Sequence, residues 1–584
     1  MKNHVRHTSD RPKRLLRAKV LLPLFAVLVL AALAALYFLL PEKTVFPIRR
    51  ALYSETRNDR VNDYVFSVDA SSPGRVLPNV KSHLNVFGGR FPEDQPVGEA
   101  NPFAFTEYIQ LMECSGGNAA RDLFRDPDDF SVTDDYDFAP LLASCRGILK
   151  VGAKPLLKLG NVPKKLSQKA LAAAGEATGD FSVNVYPPDD YDEYYRYIKA
   201  LAVALVEEFG PEEVVSWRFG VLTEYENAGW FRAVSGDPEE SMQAFCALYD
   251  YTVQALTDVL GDSVFVGAHS MTVSEGLWDE CDFIRHCGTG TNFATGKTGT
   301  RLCYLSASYY EQIPGGRPED RLTLPETVGV LQTAAREAGL TDLRFGIDEG
   351  RVLVGETPGV DSDELLSRSV GATYQAGFDA RLLKQSFDCG LDYFSAWGYC
   401  SAGFTGLPTV SYYVAEQGAR FAGCALLPVS AVSAGKLRDA DVNVSAALDR
   451  ETGTLRVMAY NYKDSLYYLS SADVTVEIAA PAFPDGDASV TVYRIDDDCN
   501  WFDEWQRDRV SWGFPDDVFA WSPDDGEPLF VPGDAAARFA ALEPTLAPFS
   551  VLTPETYPAE VKDGRLTLSV SLPPNAVAFF EVAP

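Results

Sequence analysis

The sequence predicts an α/β protein: a (β/α)8 TIM barrel followed by a C-terminal antiparallel β-sandwich and preceded by an N-terminal transmembrane helix. Three observations carry that prediction. Residues 20–40 are apolar and uncharged, residues 80–430 alternate short apolar runs with helical patterns, and residues 431–584 change to period-two strands separated by turns. At 584 residues the chain exceeds what one compact core accommodates.

Residues 20–40, VLLPLFAVLVLAALAALYFLL, reach the ~20 apolar residues a helix needs to cross a bilayer. A basic tail, residues 1–19, holds Arg6, Arg11, Lys13, Arg14, Arg17 and Lys19, which the positive-inside rule keeps in the cytoplasm. The expected protein is therefore a single-pass, membrane-anchored one with its bulk outside the cell. A cleaved signal peptide is the alternative, but its apolar core is usually only ~7–15 residues long.

Composition narrows the rest. Hydrophobic residues are 46% and charged residues 23% of the chain, the balance of a globular protein. The formal charge of −31 repels phosphate backbones, so nucleic acid is not expected as a partner. The ten cysteines form no CxxC pair and no zinc-ligand spacing, so no metal and no cofactor is expected. Cys281 and Cys287 are close enough in sequence to pair if the domain is extracellular.

Within residues 80–430 the expected strands are 82–89, 154–160, 215–222, 263–270, 302–310, 343–350 and 391–399, with a less distinct second strand just before Gly116. Their near-continuous apolar character fits strands buried on both faces. Between them, Tyr194, Ile198, Leu201 and Leu205 make one helical stripe that Gly210 and Pro211 end. The sandwich is read from runs such as 454–462, 488–495 and 565–572. Residues 41–79 are a linker, with YVFSVDA (64–70) able to complete the sandwich from the N-terminal side.

Barrel active sites gather at the C-terminal ends of strands. There the fourth strand delivers Glu224 and the seventh Glu349. A glycosidase needs such a pair: one carboxylic acid to protonate the leaving oxygen, one carboxylate to attack or to activate water. Trp397, at the end of the last strand, offers a flat face on which a sugar ring can stack. Tyr309 or Tyr310 is placed to hydrogen-bond the nucleophile, His269 to contact sugar hydroxyls, and Asn85 and Arg121 to line the same mouth.

These residues lie in blocks that resemble glycoside hydrolase family 39, whose members include β-xylosidases and α-L-iduronidases. The resemblance runs from about residue 80 to the C-terminus. It includes VSWRFGVLTEYENAGWF at the fourth strand, RFGIDEG at the seventh, and VYRIDDDCNWFDEWQ in the sandwich, with Tyr493, Arg494, Ile495, Asp496, Asn500 and Trp505 at the family's positions. It implies Glu224 as acid/base and Glu349 as nucleophile of a retaining hydrolase acting on a carbohydrate. The family usually has Asn before the acid/base, touching the sugar 2-hydroxyl; here the position is Thr223, with one donor where an amide has two. An inactive carbohydrate-binding protein and a transglycosylase are the alternatives.

Overall fold

In the computed structural model the described residues are 62–584, apart from 87–88, 96, 99, 119–121, 176–182, 272–275, 312–321, 353–373, 396–406, 434–439, 464–469, 502–503 and 505–539. The basic tail and the expected span at 20–40 lie outside them. Among the described residues no helix is long and apolar enough to cross a membrane.

The first described strand, β1 (Asn62–Asp69), belongs to the C-terminal domain. Next come eight short strands: β2 (His83–Val86), β3 (Tyr108–Leu111), β4 (Lys154–Leu159), β5 (Arg218–Val221), β6 (Phe265–Ser270), β7 (Tyr304–Glu311), β8 (Arg344–Val352) and β9 (Tyr393–Phe394). They pair in parallel in sequential order, the order of a (β/α)8 barrel. The Phe394 N–H donates to Val80 O at 2.8 Å, joining the far edge to the chain entering β2. β5 is buried along its whole length, as a strand with helices outside and side chains inside must be. Two glycines let tyrosines fill the interior: a Cβ at Gly267 would lie 2.4 Å from the Tyr304 ring, and one at Gly346 would lie 2.2 Å from the Tyr393 ring.

Helices α1 (Ala139–Lys150), α2 (Gln168–Ala174), α3 (Tyr191–Phe209), α4 (Pro211–Val215), α5 (Pro238–Leu260), α6 (Glu280–Thr289), α7 (Leu324–Glu337), α8 (Tyr374–Cys389) and α9 (Val410–Ala419) connect and cover the strands. α3 buries the stripe read from the sequence, and its N-cap Asp190 accepts from two backbone N–H groups. It does not run straight into β5. Pro211, which has no N–H to lose at a helix start, opens the short α4 first. Cys281 and Cys287 both lie on α6 and are free thiols, so the pairing that their closeness in sequence left open is not made: residues six apart on one helix project in different directions.

The second domain stacks two sheets on a shared apolar core. One has the order β11 (Val429–Ser433), β1, β14 (Ala472–Ala479), β17 (Arg565–Leu572). The other runs β10 (Ala425–Leu426), β12 (Ala440–Leu448), β13 (Leu455–Lys463), β18 (Val577–Ala583), β15 (Gly486–Ile495), β16 (Glu555–Val561). The sandwich is not wholly antiparallel, as expected from its hairpin-like spacing. β1 and β14 run parallel, Tyr64 opposite Val474, because the connection between them includes the whole barrel and four further strands, and no hairpin dictates their sense.

The domains are tied by polar contacts. Arg381 of α8 pairs with Glu311 at the end of β7 and lies 4.5 Å from the centre of the Tyr462 ring on β13. Arg420, just after α9, donates to Tyr493 Oη at 3.1 Å, and Trp501 Nε1 donates to Pro408 O at 2.9 Å. The stretch Tyr493–Asn500 thus sits where the sandwich meets the last barrel helix, while Trp505 is outside the described residues.

Candidate active site

A regular strand turns successive side chains to opposite faces. On β7, Ser308 and Tyr310 therefore face the barrel axis while Tyr309 and Glu311 face outward. β8 departs from the rule. Ala307 is opposite Ile347 but Ser308 is opposite Glu349, so Asp348 is the extra residue of a β-bulge. The bulge lets Asp348 and Glu349 both point inward, at different depths.

The other glutamate is aimed by an unusual turn. After β5 both Leu222 and Glu224 have positive φ, 61° and 47°, in the left-handed region that residues with a Cβ rarely adopt. Backbone bonds from Leu222 N to Leu159 O (2.7 Å) and from Tyr225 N to His269 O (3.0 Å) hold the turn. Glu224 and Glu349 are 8% and 7% exposed, enough for a ligand to reach them.

Between them sits one hydroxyl. Ser308 Oγ is 2.6 Å from Glu224 Oε1 and 3.1 Å from Glu349 Oε1, and Asn227 Nδ2 donates to Glu224 Oε2 at 2.7 Å. Burial and the adjacent Glu224 carboxylate push the Glu349 carboxyl well above its ordinary range. Two carboxyls this close cannot both ionise easily.

Beneath the pair lies a fully buried polar layer. Lys158 Nζ is 2.9 Å from Asp348 Oδ2, and the Tyr393 hydroxyl donates to Asp348 Oδ1 at 2.6 Å. Burial opposes ionisation of Asp348, but the Lys158 charge and the Tyr393 hydroxyl outweigh it and hold its carboxyl at about 2. Lys158 also contacts His269 Nδ1, and His269 Nε2 is 2.9 Å from Ser308 Oγ. An ammonium has no lone pair, so Nδ1 must accept and Nε2 must carry the ring hydrogen. Burial first, and then the Lys158 charge, push the His269 pKa far down, so the ring is neutral.

This geometry sorts the expected residues. Glu224 and Glu349 meet. Tyr310 is the tyrosine whose hydroxyl bonds Glu349; burial and the two glutamates push its pKa far up. Tyr309 instead donates to Glu311 at 2.7 Å, away from the site. His269 is a correction: it is completely buried with both nitrogens engaged, so it does not touch sugar hydroxyls. Thr223 is another: its buried hydroxyl lies 3.4 Å from Lys158 Nζ, below the site. Asn85 donates through Nδ2 to Asp348 O at 3.0 Å, bracing the bulge. Trp397 and Arg121 lie outside the described residues.

Glu224, His269 and Glu349 place a donor-type atom each within 4.8 Å of one another, a spacing a cation can use. The tautomer just derived puts a hydrogen on His269 Nε2 and its lone pair on Lys158, so the ring offers nothing to a metal. Sequence reasoning missed Lys158, Asn227, Ser308 and Asp348. A lysine inside the apolar run KPLLKL and an aspartate beside Glu349 were the available signals.

Fold and site together define a parallel β/α barrel protein with a paired-carboxylate centre at the C-terminal ends of its fourth and seventh strands. Residues 122–319 match the family model "Glycosyl hydrolases family 39", which meets the resemblance read from the sequence blocks. A beta-xylosidase of Caldicellulosiruptor saccharolyticus is 26% identical over 166 residues, 28% of this chain and 32% of that protein. One from Geobacillus stearothermophilus is 24% identical over 275 residues, 45% and 48% of the two chains. The matched stretches thus span less than half the length of these curated relatives. Among solved structures, the bacterial orthologue of human α-L-iduronidase superposes with a TM-score of 0.60 at 16% identity, covering 90% of this chain and 84% of that one. A monomeric beta-xylosidase from Caulobacter crescentus CB15 gives 0.56 at 14% identity, covering 89% and 99%. At such identities the likeness is one of fold.

Proposed function

We propose that the protein is a retaining glycoside hydrolase that cleaves a β-xylosidic or related β-glycosidic bond by double displacement. The observation that carries this reading is that Ser308 Oγ lies 2.6 Å from Glu224 Oε1 and 3.1 Å from Glu349 Oε1, which keeps these two oxygens closer than the gap an inverting water needs. A nucleophile that touches the anomeric carbon needs a separation of roughly 5–5.5 Å, whereas a water-mediated inverting mechanism needs about 6.5–9.5 Å. The family match and the beta-xylosidase relatives support the substrate class.

Glu349 attacks the anomeric carbon as Glu224 gives its proton to the leaving oxygen. Glu224 then takes a proton from water, which releases the sugar with its configuration retained. The segment 20–40 anchors the enzyme and holds this chemistry at the cell surface, a placement that protease treatment of intact cells tests by degrading the barrel domain.

The test of the reaction is turnover of a panel of nitrophenyl glycosides, β-xyloside included, with the anomeric configuration of the first product followed by NMR. Retained configuration is expected. An inverted first product overturns the mechanism, and failure to cleave any member of the panel overturns the hydrolase reading in favour of a carbohydrate-binding protein.

A further inference from the structure

Asp348 and Glu349 both face the barrel interior although they are neighbours on one strand. The Asp348 side chain is fixed inward by Lys158 Nζ at 2.9 Å and by the Tyr393 hydroxyl at 2.6 Å. A regular strand would then turn Glu349 outward. Glu349 Oε1 nevertheless meets Ser308 Oγ at 3.1 Å, so the peptide that joins the two residues is rotated away from the regular course of the strand. That peptide carries the Asp348 carbonyl.

Two side chains from other strands converge on this carbonyl. Asn85 Nδ2 donates to Asp348 O at 3.0 Å, and Gln110 Nε2 lies 3.5 Å from the same oxygen. The two amides sit side by side, Asn85 opposite Gln110 in the register of β2 and β3. The strand adjacent to β8 holds the chain one peptide earlier, where Ser395 N donates to Ile347 O at 2.8 Å. A carbonyl oxygen only accepts, so each amide must turn its nitrogen to it. Each thereby buries its own amide oxygen, and among the described residues neither oxygen meets a donor. Apolar side chains of that shape would fill the same space without leaving polar atoms unsatisfied.

We propose that Asn85 and Gln110 are positioning residues that hold the peptide between Asp348 and Glu349 in its rotated setting and so keep the Glu349 carboxylate turned to the mouth. The proposal rests on the hydrolase reading for its catalytic meaning, because there Glu349 is the nucleophile. Both amides act through the backbone of β8. Without them the peptide relaxes toward regular alternation while Asp348 stays on Lys158, and the Glu349 carboxylate moves away from Ser308.

The test uses Asn85→Leu in the full-length chain, with Gln110→Met taking its place if that variant does not fold. On a nitrophenyl glycoside the variant should lower kcat by about ten- to a hundredfold, the loss that a displacement of ~1 Å brings, with KM little changed. The same substitution is then made in Glu349→Ala, where added azide attacks in place of the carboxylate. Azide is not carried by the strand, so the rescued rate should be the same with and without the substitution. An equal loss in both backgrounds is general damage to the site and overturns the proposal. A crystal structure of the variant gives a readout that needs no glycoside: Asp348 should remain on Lys158 while the Glu349 carboxylate leaves Ser308 Oγ. A Glu349 carboxylate still within hydrogen-bond distance of Ser308 Oγ overturns the proposal as well. A wild-type protein that cleaves no glycoside sinks the hydrolase reading alone, and the crystal structure then decides the positioning role.

Discussion

Asp348 and Glu349 are consecutive residues whose carboxylates serve different layers of one barrel, the first 2.9 Å from Lys158 Nζ and the second 3.1 Å from Ser308 Oγ. A single extra residue in β8 makes this possible. The lower layer is structural support for the upper one, and the two can be perturbed separately.

Replacing Lys158 by Met leaves the Asp348 carboxylate buried without its cation. Breaking one partner of such a pair typically costs about 3–5 kcal/mol. Chemical denaturation should show a loss of that order in Lys158→Met, and a loss below ~1 kcal/mol would refute the pairing. Asp348 also confers an acid limit. Its folded carboxyl sits at about 2 against an ordinary 3.8, so its stabilisation is complete above 3.8 and disappears as the pH falls towards 2.

Glu226 gives a pH dependence of the opposite sign. Burial pushes its carboxyl up to about 8 from 4.5, against the opposing hydrogen bond from Ser270. The folded protein holds this proton while the unfolded chain releases it, so stability is full below pH 4.5 and falls as the pH rises to about 8. Thermal melts should show Glu226→Gln lacking that slope and melting above the wild type at pH 8. Parallel curves for the two proteins would contradict the assignment.

The adjacent tyrosines should behave very differently. Tyr310→Phe removes a hydroxyl from Glu349 and should lower kcat on an aryl glycoside about tenfold, a loss of ~1.4 kcal/mol in transition-state stabilisation, with little effect on folding. Tyr309→Phe should leave kcat unchanged and weaken the Glu311 contact instead. Equal kinetic effects would mean that the inward and outward faces of β7 are misassigned.

Glu224→Ala should reduce turnover of poor leaving groups by about 10²–10⁴-fold yet spare the first step for nitrophenyl leaving groups, which need little protonation. Glu349→Ala should be inactive on both, and added azide should fill its place to give a glycosyl azide of inverted configuration. Azide rescue that yields the retained azide from Glu349→Ala would reverse the two roles.

Glu224 and Glu349 were legible because each closes a continuous apolar run, and in a parallel barrel the C-terminal end of such a run opens onto the site. Depth was not legible. The family position of Thr223 and the strand-end position of His269 suggested contact with a ligand, yet both belong to the buried layer. Lys158 and Asp348 make sense only as partners, and they stand on β4 and β8, far apart in the chain. The bulge that turns Asp348 inward is a property of two strands in register, which period-two reading of one strand cannot detect. The parallel sense of β1 was hidden for the same reason, since nothing in its alternation distinguishes a parallel neighbour from an antiparallel one.

That placement of β1 sets a clock. It lies between β11 and β14, so both of its hydrogen-bonding edges are filled by residues the ribosome makes only after the entire barrel. At roughly 5–20 residues per second, the strand waits from about twenty seconds to over a minute with its N–H and C=O groups unclaimed. An open edge of that kind is a template for pairing with other chains. Biosynthesis therefore exposes this edge early and covers it only after the barrel, and a message that stops short of Ala472 yields a finished barrel with an uncovered strand edge, a product suited to aggregation or to capture by chaperones.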